Sequence, residues 1–175
     1  SVTMLSIVPG ENGPSTAKVT FKLPSKNING SKPSKTKSIT KIVVKRDGEI
    51  FKSYPKAGAT TTYSYGAKFD AGTDKNIPSG WHTYTVVCSN AEGEGREASK
   101  RVYIGLDAPK APTGLKLHDD STHITATWDA FTGKGANGAY LEPTDIAVSF
   151  FNHYENYYGQ QVVGDSLTSS AKGAT

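Results

Sequence analysis

Apolar and polar residues alternate with a period of two through most of residues 1–107, the spacing of half-buried strands rather than of helices. In a strand over 17–23, Val19, Phe21 and Leu23 take one face and Lys18, Thr20 and Lys22 the other. The alternation recurs over 39–46 and over 81–89, where Tyr84, Val86 and Cys88 share a face. Shorter strands are predicted at 4–8, 49–54, 60–66 and 97–104, the last with Val102 and Ile104 inward. Asp47-Gly48, set between two of these runs, is a two-residue hairpin turn. Pro9-Gly10, the polar loop 24–37 and Pro78-Ser79-Gly80 punctuate the pattern. The run Asp70-Ala71-Gly72-Thr73-Asp74 reads as a turn, because it lacks the further acidic positions of a calcium loop. Seven strands at these intervals predict an all-β domain of two packed antiparallel sheets.

A second, sparser series follows. Leu106 to Pro112 carries Pro109 and Pro112 and reads as an extended, semi-rigid linker. Beyond it, 122–128 places Ile124, Ala126 and Trp128 on one face, and further strands are predicted at 146–152 and 160–163. Both halves carry an Asn-Gly turn ahead of the third strand, at Asn29-Gly30 and at Asn137-Gly138, which suggests a divergent tandem repeat.

The stretch Tyr84-x-Val86-x-Cys88-x-Asn90-x-x-Gly93 resembles the penultimate strand of a fibronectin type III domain. Ala111-Pro112-Thr113-Gly114-Leu115 looks like the Pro-x-x-Leu opening of another such repeat, with Trp128 where the family's core tryptophan stands. Phe21 takes that place in the first half. The resemblance implies two consecutive immunoglobulin-like (fibronectin type III) β-sandwiches, over residues 1–107 and 108–175, the second incomplete. It makes Tyr84, Asn90, Gly93 and Trp128 structural signature residues, with the Tyr84 hydroxyl expected to bond backbone upstream. The pattern is similar to tandem repeats of secreted or surface-attached bacterial proteins. About eighty residues precede Tyr84 from the first strand, but only about sixty lie between Gly114 and Thr175. The last three strands are therefore expected to be absent, leaving Trp128, Ile146 and Val148 uncovered at roughly 1.5–3 kcal/mol each. A fragment of a longer polypeptide, with further domains, is the expectation.

Composition narrows the chemistry. Cys88, the single cysteine, excludes an intramolecular disulfide and reads as a small buried hydrophobe. No run of 18 apolar residues offers a membrane span. The start at Ser1 suits an exported chain from which a leader has been cleaved. Charge is lopsided: residues 1–56 hold eleven basic side chains against Glu11, Asp47 and Glu49, +8 within a net +4. The lysines are not interleaved with stacking aromatics, so nucleic acid is not an expected partner. They read chiefly as solvated strand edges that block edge-to-edge pairing, and secondarily as a surface for acidic glycans.

No catalytic pattern emerges. His82, His118, His123 and His153 fall at no metal-ligand spacing, and no Gly-x-Ser-x-Gly elbow or phosphate-binding loop is present. Glu92, Glu94 and Glu97 sit on a glycine-rich loop, a poor mount for paired carboxylates. We therefore expect no enzyme, no cofactor and no metal site. Phe150, Phe151, Tyr154, Tyr157 and Tyr158 place five aromatics in nine residues, more than one strand face buries. Tyr154, Tyr157 and Tyr158 are accordingly the candidate ligand contacts. Asn29-Gly30-Ser31 fits an N-glycosylation tripeptide, a pattern that also arises by chance. The expected function is a non-catalytic extracellular or cell-surface module, a spacer or adhesion domain contacting a protein or glycan ligand. The alternative is an accessory carbohydrate-binding module of a secreted polysaccharide-degrading enzyme.

Overall fold

The computed structural model describes residues 1–34, 38–119, 121, 124–129, 131, 133–142, 146–151, 157–162 and 166–169, with only the backbone described from 150 onward. Among them every regular element is a strand. The chain divides into two compact units, Ser1–Gly105 and Leu106–Thr175.

In the first unit β1 (Thr3–Pro9), β2 (Ala17–Lys22) and β5 (Lys68–Asp74) form one antiparallel sheet in the order β1-β2-β5. The second sheet sets β3 (Lys41–Arg46) between β4 (Glu49–Tyr54) and β6 (Gly80–Asn90). Its far edge is shared by β7 (Gly93–Glu94) and β8 (Ala98–Ile104), both paired to β6. The period-two pattern decides which residues enter the core. Val19, Phe21 and Leu23 from the first sheet side meet Ile42, Val44, Tyr84 and Val86 from the second, all nearly excluded from water. Each such side chain contributes about 1.5–3 kcal/mol. Phe21 stacks on Phe69 with ring centroids 5.3 Å apart. The hairpin at Asp47-Gly48 forms as expected, both residues at positive φ (51° and 89°).

Two expectations fail, for one reason. Residues 60–66 are not the fifth strand; Tyr63 alone makes a bridge there, to Ile39. The strand is instead Lys68–Asp74, including the run that reads as a turn. Gly72, at φ +84°, accommodates a bulge: Val19 faces Gly72 while Thr20 faces Asp70, leaving Ala71 as the extra residue. The carboxylate of Asp70 accepts the Gly72 N–H at 2.8 Å inside that bulge. A glycine that signals a turn locally is here a kink within a paired strand.

In the second unit β9 (Lys116–Asp119), β10 (Ile124–Thr127) and β13 (Ser166–Ser169) form a sheet in the order β9-β10-β13. A separate hairpin pairs β11 (Ala147–Phe151) with β12 (Tyr157–Val162). Neither β9 nor β13 is visible as a strand in the sequence pattern. Trp128 and Ile146 are 5% and 4% exposed, which corrects the expectation that they lie uncovered. Ala126 and Trp128 are joined by Phe131 and Val148 in a small core.

The linker is not free at its start. The Asp107 N–H donates to the Tyr140 carbonyl at 2.8 Å. Its carboxylate accepts the Asn137 N–H (2.8 Å), the Asn137 side-chain amide (2.9 Å), the Ala139 N–H (3.1 Å) and the Ala108 N–H (2.9 Å). Asp107 thus belongs with the second unit, whereas the sequence reading places it in the first. A side chain at Gly135 would bring its Cβ within 2.4 Å of Asp107, so the glycine admits this clamp.

Candidate functional site

Two features of the first unit are candidates for binding. The first is a cavity of about 350 Å³ at the end of the sandwich where the β2–β3 loop meets the β6–β7 turn. Asn27, Ile28 and Asn29 line one side, Asn90, Glu92 and Glu94 another, with Tyr65 beside them and Cys88 on the wall. Asn90 donates its side-chain amide to the Tyr65 hydroxyl at 3.0 Å and accepts the Glu92 N–H at 2.9 Å. Gly93, at φ +135°, opens β7 and lets the chain reverse tightly after Asn90. Gly95 carries the chain past the Cys88 carbonyl, which accepts its N–H at 2.8 Å; a Cβ there would meet that oxygen at the same 2.8 Å. Burial lifts the Cys88 thiol to about 11, so it stays protonated. The cavity offers amides, carboxylates and a phenol on a rigid floor, and no activated nucleophile.

The second feature lies on the outward face of the larger sheet. Inward residues of β6 are His82, Tyr84, Val86 and Cys88, so Trp81 points out and is 49% exposed. Its cross-strand partner on β8 is Tyr103, edge-on at 5.6 Å between ring centroids. The Arg101 guanidinium lies over the indole at 4.7 Å.

Other charged groups are spent on the fold. Asp74 is buried, accepts the Tyr84 hydroxyl at 2.9 Å and pairs with the Arg46 guanidinium on the same oxygen. Its other oxygen takes the Lys75 N–H at 2.9 Å. The hydroxyl of Tyr84 therefore bonds a carboxylate, not the backbone oxygen the sequence suggests. Burial and the Asp74 charge push the Tyr84 hydroxyl well above the usual tyrosine range. Burial works against the Arg46 charge, but Asp74 and Tyr84 outweigh it and raise its titration. At the β3–β4 turn, Asp47 accepts the Thr83 N–H at 2.8 Å and sits 2.6 Å from His82 Nδ1, whose Nε2 is 2.7 Å from the Pro78 carbonyl. Partial burial raises the Asp47 carboxyl, yet Thr83 and His82 prevail and hold it below the ordinary value.

Of the sequence-predicted residues, Asn90 and Gly93 come together at the cavity, Tyr84 lies in the first core and Trp128 in the second. Tyr157 and Tyr158 belong to β12, and Tyr154 lies outside the described residues. The sequence reading does not pick out Tyr65, Trp81, Arg101 or Tyr103. The parity of Tyr84, Val86 and Cys88 carries the signal for Trp81, since an inward Tyr84 sets Trp81 outward. Among the described residues, no three of His, Cys, Asp and Glu gather as a metal site would require, and no helix is long and apolar enough to cross a membrane. No protein-family model matches the chain, and no curated protein matches it.

Proposed function

We propose that this chain is a non-catalytic interaction module of an exported or surface-attached protein, built as two consecutive fibronectin type III-like repeats within a longer polypeptide. One observation carries this reading. The order β1-β2-β5 beside the β3–β4 hairpin in the first unit recurs as β9-β10-β13 beside the β11–β12 hairpin in the second. A shared strand order in two units favours repetition of one module, a design suited to spacing and display. Ligand contact falls to the loop-end cavity, where polar side chains stand on paired strands. The test is an array of defined matrix proteins and glycans probed with the chain and with Glu94→Lys, a charge reversal at the cavity rim. Capture of one ligand, weakened at least fivefold by Glu94→Lys, is expected; turnover of any glycan would overturn the non-catalytic assignment.

A second reading, an accessory carbohydrate-binding module, is favoured by the half-exposed Trp81 beside Tyr103. A half-exposed indole with a tyrosine edge-on beside it suits a sugar ring, which offers one apolar face and a hydroxyl rim. In this reading Tyr154, Tyr157 and Tyr158 are further candidate contacts.

A further inference from the structure

We propose that the outward face of the larger sheet in the first unit binds a uronate-bearing polysaccharide, with Trp81 and Tyr103 receiving a pyranose ring and Arg101 its carboxylate. The inference rests on the carbohydrate-binding reading and adds a site and a ligand charge to it.

Three observations converge on that chemistry. Trp81 is 49% exposed on a strand whose neighbours are well packed, so a large apolar surface is held in water on a rigid support. The part of the indole that Arg101 and Tyr103 leave uncovered is weakly hydrated and offers an apolar contact to a sugar face. Arg101 is stacked on that indole at 4.7 Å. A guanidinium over a ring keeps its N–H donors available to other partners, and among the described residues no ion pair involves Arg101. A planar fork of donors is suited to a carboxylate, which it takes through two parallel hydrogen bonds.

The outward charges of β3, β6 and β8 share the sign of Arg101, flanked by carboxylates at Asp47, which accepts the Thr83 N–H, and at Glu94 on β7, opposite Ser89. The register sets Thr83 opposite Arg101 on one side of β6 and Thr85 opposite Lys45 on the other. The Arg101 and Lys45 backbones therefore stand two strand spacings and one side-chain repeat apart, roughly 12 Å. Between them lie the two threonines, whose hydroxyls both donate and accept. No acidic residue occupies an outward position of β3, β6 or β8. A periodic polyanion carrying hydroxyls complements that arrangement. Val43 and Val87, half-buried at outward positions of β3 and β6, and Ile50 on β4 are set apart from the aromatic pair by Thr83 and Thr85. The face thus lacks the single broad apolar centre of a stable protein interface, and a protein partner is less suited.

The experiment passes the chain over columns bearing alginate, the same polymer with its carboxyls reduced to alcohols, and polyacrylate. Alginate supplies ring and carboxylate, the reduced polymer the ring alone, polyacrylate the carboxylate alone. Trp81→Ala, Arg101→Gln and Lys22→Gln accompany the parent; Lys22 lies on β2 of the other sheet and matches the charge removed at Arg101. Protection of Cys88 from thiol reagents shows that each variant is folded. Alginate is expected to retain the parent in a salt-sensitive manner, with affinity about tenfold lower in Trp81→Ala and Arg101→Gln and nearly unchanged in Lys22→Gln. Equal retention on reduced alginate overturns the role of Arg101, and equal retention on polyacrylate overturns that of the aromatics. If Lys22→Gln weakens binding as much as Arg101→Gln, bulk charge replaces the site. Alginate binding indifferent to Trp81→Ala overturns the site and leaves the carbohydrate reading standing, whereas no retention on either sugar polymer removes both.

Discussion

Tyr84→Phe removes one oxygen from the centre of the first unit, and the consequence can be worked from its surroundings. The residue is fully excluded from water, and its hydroxyl donates at 2.9 Å to Asp74, which is also buried and also bonded by Arg46. A hydrogen bond to a charged acceptor contributes about 1.5–3 kcal/mol, and no water replaces the donor at a site so enclosed. For a unit of about this size each kcal/mol moves the melting temperature by roughly 4–8 °C, so a fall of about 6–24 °C is expected. The assay is urea unfolding followed by the reactivity of Cys88, because this lone, buried thiol reports on the first unit and not on the second. Asp74→Asn in parallel keeps an acceptor while stripping its charge, leaving Arg46 uncompensated, and is expected to cost at least as much. A loss below about 0.5 kcal/mol in Tyr84→Phe would show that the hydroxyl is not coupled to the carboxylate, and the account of this network would be wrong.

The remaining predictions concern the cavity wall and the clamp of the second unit. With its thiol raised from 9.0 to about 11, Cys88 at pH 8 carries on the order of a hundredfold less thiolate than an ordinary cysteine, so iodoacetamide should alkylate it at least that much more slowly until urea is added. Gly95→Ala places a methyl 2.8 Å from the Cys88 carbonyl and should destabilise the first unit by about 1–3 kcal/mol, seen as a lower urea midpoint. Asp107→Ala releases three donors of the 135–139 loop and the Ala108 N–H and should destabilise the second unit by about 1.5–3 kcal/mol, followed by Trp128 fluorescence in a Trp81→Phe background. Partial burial raises the Asp107 carboxyl, but the bonds from Asn137, Ala139 and Ala108 outweigh it and hold its folded value below the unfolded one. The sign follows: that stabilisation is complete above the unfolded carboxylate value and fades as pH falls through the folded one, a slope Asp107→Ala should lose.

Much of the first unit is legible residue by residue. The alternation of Val19, Phe21 and Leu23, and of Tyr84, Val86 and Cys88, assigns the inward faces correctly because strand side chains obey a strict period of two. Asp47-Gly48 announces its hairpin because few residues tolerate two successive positive φ angles. Local signals fail where pairing across the sheet overrides them. Asp70 to Asp74 has the composition of a turn, yet β2 supplies a partner for each ladder position and Gly72 absorbs the bulge. In the opposite sense, the Thr- and Tyr-rich run 60–66 looks like a strand but pairs only at Tyr63. In the second unit β9 and β13 are too short and too polar to show a pattern, and β10, which lies between them, is what makes them strands.

The candidate surfaces follow the same division. Period-two spacing puts Trp81 on the outward side of β6 from the position of Tyr84 alone. That Arg101 and Tyr103 stand beside it depends on the β6–β8 register, a choice among pairings that differ by one residue and exchange the two faces. Asp74 is a surface carboxylate by composition and becomes a buried one because Arg46 and Tyr84 arrive from two strands of the opposite sheet. The cavity likewise joins Asn27 and Asn29 to Asn90, residues some sixty positions apart that nothing in the intervening sequence links. The short-range chemistry of each residue fixes its preferred dihedral angles and which face it presents to solvent. Neighbours distant along the chain are set by which registers close a common core, and that is a property of the whole sandwich.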